Sequence, residues 1–139
     1  MKNEYLYNSN LIQNNNNFKN EIIKEHKKII IAGPCTFGTY EEVYSIAKEL
    51  KKIGIKYFRA GAYKSRTSPY SFQGMQDEGI EMLIKLKKKL NIKIVTELMT
   101  IEQVKKYGKF IDIIQVGTRN MYNYNLFHHQ FLLYPYYIN

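Results

Sequence analysis

The chain has no tryptophan, a single cysteine and only three prolines among its 139 residues. The lone Cys35 excludes an intramolecular disulfide and fits a reducing compartment. No apolar run approaches the roughly 20 residues needed to cross a bilayer, and the N-terminus lacks an apolar signal core. The expectation is a soluble, cytoplasmic chain with no membrane partner. Acidic residues are scarce, with 12 Asp and Glu against 21 Lys and Arg and a formal charge of +9. That excess is scattered through "KELKK", "KLKKKL" and "VKKYGK", where lysines decorate expected helix faces and stay solvated. Helix-turn-helix, zinc-finger and RNA-recognition signatures are lacking, which argues against a nucleic-acid partner. Hydrophobic residues make up 45% and aromatic ones 14%, enough to bury one modest core and to exclude disorder throughout.

Residues 1–27 are polar and include the Asn14 to Asn17 tract, which favours loops and reads as a flexible leader. From Lys28 the pattern changes. "KIIIAGPC" is a continuous apolar run broken by Gly33 and Pro34, which predicts a strand buried on both faces. Thr39 and Glu42 form a capping box, and Val43, Ile46, Ala47, Leu50 and Ile53 keep helical spacing until Gly54 stops the helix. The unit then recurs. "IKYFRA" predicts a second strand, "EGIEMLIKLKKKL" a helix with Ile80, Leu83, Ile84 and Leu90 inward, and "IKIVTEL" a third strand. A second capping box, Thr100 with Gln103, precedes a short helix to about Tyr107, and "FIDIIQVG" predicts a fourth strand. Such alternation implies an α/β fold with parallel pairing. These βα units amount to half of a closed eight-stranded barrel, which takes about 250 residues.

In parallel α/β folds the binding groups gather at the carboxyl ends of the strands. Cys35 lies just past the first strand, Arg59 ends the second with Lys64 and Arg66 in the loop beyond, Glu97 ends the third, and Arg119 follows the fourth. Each cation alone reads as ordinary surface charge. Together on one rim they repel one another unless anions bind between them, so the expected ligand carries phosphate or carboxylate. Glu97 either orients that cluster by ion pairing, the favoured reading, or moves a proton. Cys35 is a small hydrophobe or a thiolate ligand to a divalent metal. His128 and His129 qualify only by residue type, since no spacing ties them to Cys35.

"IAGPC", "RAGAYKSRTSPYSFQG", "IVTELM" and "IIQVGTRNM" occur in the order and spacing of the first half of 3-deoxy-7-phosphoheptulonate (DAHP) synthases, and the chain resembles the type I-beta branch of that family from about Lys28 to Leu126. The resemblance implies residues 28–127 to be the first half of a TIM (β/α)8 barrel. It further implies a transferase that condenses phosphoenolpyruvate with erythrose 4-phosphate at the entry to the shikimate pathway of aromatic amino acid biosynthesis. A divalent metal polarises the aldehyde in that chemistry while cations clamp the phosphates. By position, Cys35 resembles the metal-ligand cysteine. Arg59 and Lys64 resemble residues that hold phosphoenolpyruvate, Arg66 and Thr67 the pair that receives the sugar phosphate, and Glu97 the acid beside the enolpyruvate. Gly117, Thr118 and Arg119 match the loop that grips its phosphate. Lys64 and Glu97 are the catalytic candidates.

The chain departs from the family pattern at several points. Ser65 stands where a proline is usual, loosening the loop. Thr118 replaces an alanine, and Gly38 stands where an acid is common. Residues 128–139, "HHQFLLYPYYIN", resemble no family segment and read as a non-family tail after a frameshift or premature end, leaving the remaining metal ligands absent. A truncated chain of this kind is expected to be inactive alone, with the edges of strands one and four open and their inner faces short of packing partners. The alternative is a non-catalytic half-barrel module that assembles as a homo-oligomer or with a separately encoded C-terminal half. The enzyme runner-up is the sister 3-deoxy-octulosonate 8-phosphate synthase, whose corresponding loop differs from "RTSPYSFQG".

Overall fold

Parallel strands cannot be joined by a tight turn, so each pair requires a crossover. The first crossover is α1 (Tyr40–Lys52), which leads from β1 (Ile31–Ala32) to β2 (Tyr57–Arg59). The structure, a computed structural model, describes residues 29–64, 66, 68, 70–126, 128 and 137–138. The expected leader over 1–27 and most of the tail lie outside the described residues. The Thr39 side chain accepts the Glu42 N–H at 3.2 Å, as the capping box requires. Glu42 departs from it, because its carboxylate accepts the Gly38 N–H at 2.9 Å instead of that of Thr39. Glu41 and Glu42 in the first turn and Lys51 and Lys52 in the last complement the helix dipole. Gly54 follows at φ +89°, a conformation that ends the helix at little steric cost.

The second and third crossovers are α2 (Gln76–Leu90) and α3 (Ile101–Tyr107), flanking β3 (Lys93–Glu97). Of the inward positions expected on α2, Ile80 and Leu83 are buried together with Leu86, while Ile84 and Leu90 pack against the core from its margin. The Thr100–Gln103 capping box of α3 forms in full. After a single 3-10 turn at Gly108–Phe110 the chain enters β4 (Ile113–Gln115), shorter than the run "FIDIIQVG" suggested.

Every strand pair is parallel and the spatial order follows the chain order. Right-handed crossovers in such an order place the helices on one face, which is barrel winding and not the two-faced winding of open α/β sheets. Strand alternation then divides the residues. Phe58, Ile94 and Ile114 point to the helices and join Val43, Ala47, Ile80, Leu83, Leu86 and Val104 in the main core. Tyr57, Val95 and Ile113 point the other way and form a second cluster with Ile29 and Ile31.

The structure corrects three expectations. β1 is half-buried at both of its positions instead of buried on both faces, because among the described residues it pairs with β2 alone. The edge of β4 is not open: Tyr137–Ile138, within the tail read as resembling no family segment, forms β5 and pairs in parallel with Ile114 and Gln115. The inner face does not lack packing, since Tyr57, Val95 and Ile113 are 4%, 0% and 1% exposed. At the fold level the α/β, parallel-barrel reading holds.

Candidate functional site

The inward parity that buries Tyr57, Val95 and Ile113 carries two residues further along each strand to Arg59, Glu97 and Gln115, at the carboxyl ends. A polar layer therefore sits on an apolar one. Glu97 and Gln115 are register partners. Arg59 donates from Nε to Gln115 Oε1 at 3.1 Å and from Nη1 to the Pro34 carbonyl at 3.0 Å, so one guanidinium ties the loop after β1 to the end of β4. Two of its N–H groups are thereby fixed, which orients those that remain. Gly33 permits this closeness. It adopts φ +148°, and a Cβ there would run into the Arg59 carbonyl.

Lys64 reaches back to the first strand end and donates from Nζ to Cys35 Sγ. The Lys64 bond, then the one from Arg59, hold the Cys35 thiol below its ordinary value, and both outweigh the opposing effect of burial. Two cations bracketing this exposed sulfur stabilise its thiolate relative to that of an isolated cysteine. Lys64 is itself held at the backbone, its N–H donating to the Gln73 carbonyl at 2.8 Å.

Glu97 lies over Gly117. A Cβ at position 117 would collide with its carboxylate, so the bare backbone of that glycine is the floor on which the acid rests. The salt bridges described are Lys52–Glu49, Lys87–Asp112 and Lys106–Asp77, all away from these strand ends. Thr118 and Arg119 sit on a 3-10 turn over Thr118–Asn120 and are exposed. Arg66 is exposed, its backbone N–H facing Gln73 Oε1 at 3.4 Å. Thr67 lies outside the described residues, as does His129, and His128 is exposed.

The hydrogen bonds thus gather Cys35, Arg59 and Lys64, and Glu97 with Gly117 occupies the neighbouring strand ends. Arg66 lies exposed on the loop beyond β2, and Arg119 lies exposed on the 3-10 turn after β4. Sequence reasoning missed Gln115, which fixes Arg59. Its signal was available: it stands two residues after Ile113 on the inward parity of the last strand the motifs cover.

A metal was tested against the same atoms. Among the described residues no group of three or more His, Cys, Asp or Glu stands close enough to hold an ion, and the Cys35 sulfur already accepts a hydrogen bond from Lys64 Nζ. The residues described do not fit a divalent metal site on their own.

The sequence profile of the DAHP synthetase I family matches residues 10–130. Among curated proteins, the phospho-2-dehydro-3-deoxyheptonate aldolase of Thermotoga maritima is 43% identical over 97 residues, covering 70% of this chain and 29% of the relative. The 2-dehydro-3-deoxyphosphooctonate aldolase of Fusobacterium nucleatum subsp. nucleatum is 37% identical over 95 residues, 63% of this chain and 34% of that one. The crystal structure of the Thermotoga maritima DAHP synthase superposes with a TM-score of 0.63 at 42% identity, covering 69% of this chain and 28% of that one. The chain spans about a third of the length of the curated relatives it matches. Among the described residues, no helix is long and apolar enough to cross a membrane.

Proposed function

The chain belongs to the DAHP synthetase I family, a family of aldol-type, carbon–carbon bond-forming transferases, and from that premise we propose that it carries the phosphoenolpyruvate-binding rim of a DAHP synthase. The observation that supports this reading is the joining of Arg59, Lys64 and Cys35 at the carboxyl ends of successive parallel strands. Phosphoenolpyruvate has a carboxylate and a phosphate on one small carbon frame, and it needs two cations held at a fixed spacing. Arg59, pinned by Gln115 and Pro34, supplies a planar fork. Lys64 supplies a point charge that can leave the Cys35 sulfur for a phosphate oxygen.

Gly117, Thr118 and Arg119 complete the phosphate grip, and Arg66 with Thr67, on the loop beyond, receives the phosphate of erythrose 4-phosphate. Glu97, resting on Gly117, stands beside the enol carbons and is placed to hold or move a proton there. No step is assigned to a metal, because the described side chains do not assemble one. A second copy of this chain or a separately encoded C-terminal half is the partner this reading proposes for the sheet. The backbone edge of β1, paired only with β2 among the described residues, offers one seam for such pairing.

The sister reaction is the second reading, supported by the 37% identity to the Fusobacterium nucleatum octonate aldolase. Against it stands the higher 43% identity to the heptonate enzyme. Calorimetric titration of the purified chain with phosphoenolpyruvate tests the proposal. Saturable binding that Lys64→Met weakens at least tenfold is expected, and binding indifferent to Lys64 would overturn it. Phosphate release on adding a four-carbon aldose phosphate, but not a five-carbon one, selects the heptulosonate reading. Light scattering before and after mixing reports the assembly state in which turnover occurs.

A further inference from the structure

The loop that carries Lys64 and Arg66 closes on itself. The Gln76 N–H donates to the Ala62 carbonyl at 2.8 Å, and the Lys64 N–H donates to the Gln73 carbonyl at 2.8 Å. Gln73 Nε2 spans the interior, donating to the Ser68 and Ser71 carbonyls at 3.0 and 3.1 Å. These bonds set the shape of the loop but do not anchor it to the rest of the fold. Tyr63 does. In an extended stretch neighbouring side chains point to opposite sides. Lys64 points to Cys35, whereas the Tyr63 hydroxyl donates to Asp77 Oδ1 in the first turn of α2. Asp77 Oδ2 in turn meets Lys106 Nζ of α3 at 2.9 Å, and Gln103, the capping residue of α3, is a second neighbour of the Tyr63 hydroxyl. Among the described residues, these contacts join the groups to one another and not to Cys35, Arg59 or Glu97.

We propose that Tyr63, Asp77 and Lys106 form a latch that fixes the 62–76 loop to α2 and α3 and thereby sets the position of Lys64 at the strand ends. Tyr63 is a positioning residue on this account, acting through its neighbour in the chain. The phenol ring is half-buried whether or not it carries a hydroxyl, so Tyr63→Phe removes the latch and keeps the packing. The consequence for ligand binding rests on the phosphoenolpyruvate reading above; the mechanical claim does not.

Two measurements separate these. Amide hydrogen exchange of the ligand-free chain reads the loop directly. In Tyr63→Phe the Lys64 and Gln76 amides are expected to exchange about tenfold faster, while the Ile94 amide, held by Asp112 at 2.8 Å, stays at its wild-type rate. Asp77→Asn, which keeps an acceptor, is expected to restore most of the protection that Asp77→Ala loses. Unchanged exchange in both Tyr63→Phe and Asp77→Ala would overturn the latch, whatever the chain binds. The second measurement is a double-mutant cycle on phosphoenolpyruvate affinity. Tyr63→Phe is expected to weaken binding about fivefold in the wild type and less than about twofold in a Lys64→Met background, the signature of an effect transmitted through Lys64. Equal losses in both backgrounds would overturn the positioning claim. A wild-type chain that binds no phosphoenolpyruvate would sink the functional reading and leave the exchange result to decide the latch.

Discussion

The two faces of the sheet use the same strands differently. Toward the helices every position is spent on packing: Phe58, Ile94 and Ile114 are at most 2% exposed, and the one polar residue there, Thr96, is fully buried with its hydroxyl donating to the Ala60 carbonyl at 2.7 Å. On the other face the alternation runs from apolar to polar along each strand, Tyr57 to Arg59, Val95 to Glu97, Ile113 to Gln115. Among the described strand residues the helix-facing side is closed by the main core and has no open end. The inner side has one, and the polar layer occurs there because those groups can be satisfied by one another and by water at the strand ends.

The largest effect expected is on the helix side. Phe58→Ala removes the ring that β2 contributes to the main core and should cost about 3–5 kcal/mol, read as a fall in the urea midpoint. A loss under about 1 kcal/mol would mean that the two faces do not differ in the way described. The matching change on the inner face is Gly117→Ala, which drives a methyl into the Glu97 carboxylate. It should cost only about 1–3 kcal/mol of stability yet weaken phosphoenolpyruvate binding roughly tenfold, since small displacements of positioned groups are costly. A variant with wild-type affinity would show that Glu97 need not rest where it does.

Lys64→Met touches the polar layer alone. The wild-type thiol is held below its ordinary value of 9.0 chiefly by Lys64, so the pH midpoint for alkylation of Cys35 should rise in the variant. Because the chain has a single cysteine, the labelling rate reports that site without ambiguity. An unmoved midpoint would place the ammonium elsewhere in solution. The smallest effect concerns Asp77, whose carboxyl is held at about 2 by the Tyr63 hydroxyl first and the Lys106 side chain next. A depressed carboxyl stabilises the folded state above its unfolded value, near 3.8, and that contribution is lost as pH falls toward 2. The urea midpoints of wild type and Asp77→Asn should therefore differ at pH 5 and converge near pH 2. Parallel curves over that range would remove the carboxylate from the latch.

Much of this was legible beforehand, for reasons specific to each element. Thr100 and Gln103 announced α3 because a capping box is satisfied within one turn of chain. Cys35, Arg59, Lys64 and Glu97 were legible as a rim because strand ends in parallel folds collect at one side. The role of Gln115 was not, since it depends on Arg59, a residue 56 positions earlier, reaching it across the sheet. Nor was β5 legible: Tyr137 and Ile138 pair with β4 because that strand presents unsatisfied backbone groups, a reason that no local periodicity records.

Local sequence determined what each short segment could be, strand, cap, helix or turn, because those preferences are settled within a few residues. It also determined which chemical groups stand at the strand ends. Contacts between distant segments decided the rest: that Lys64 turns to Cys35 while Tyr63 turns to Asp77, that Glu97 leans on Gly117, and that the edge of β4 is covered. Those outcomes depend on which backbone and side-chain groups remain unpaired once the strands have met, and only the assembled sheet fixes that.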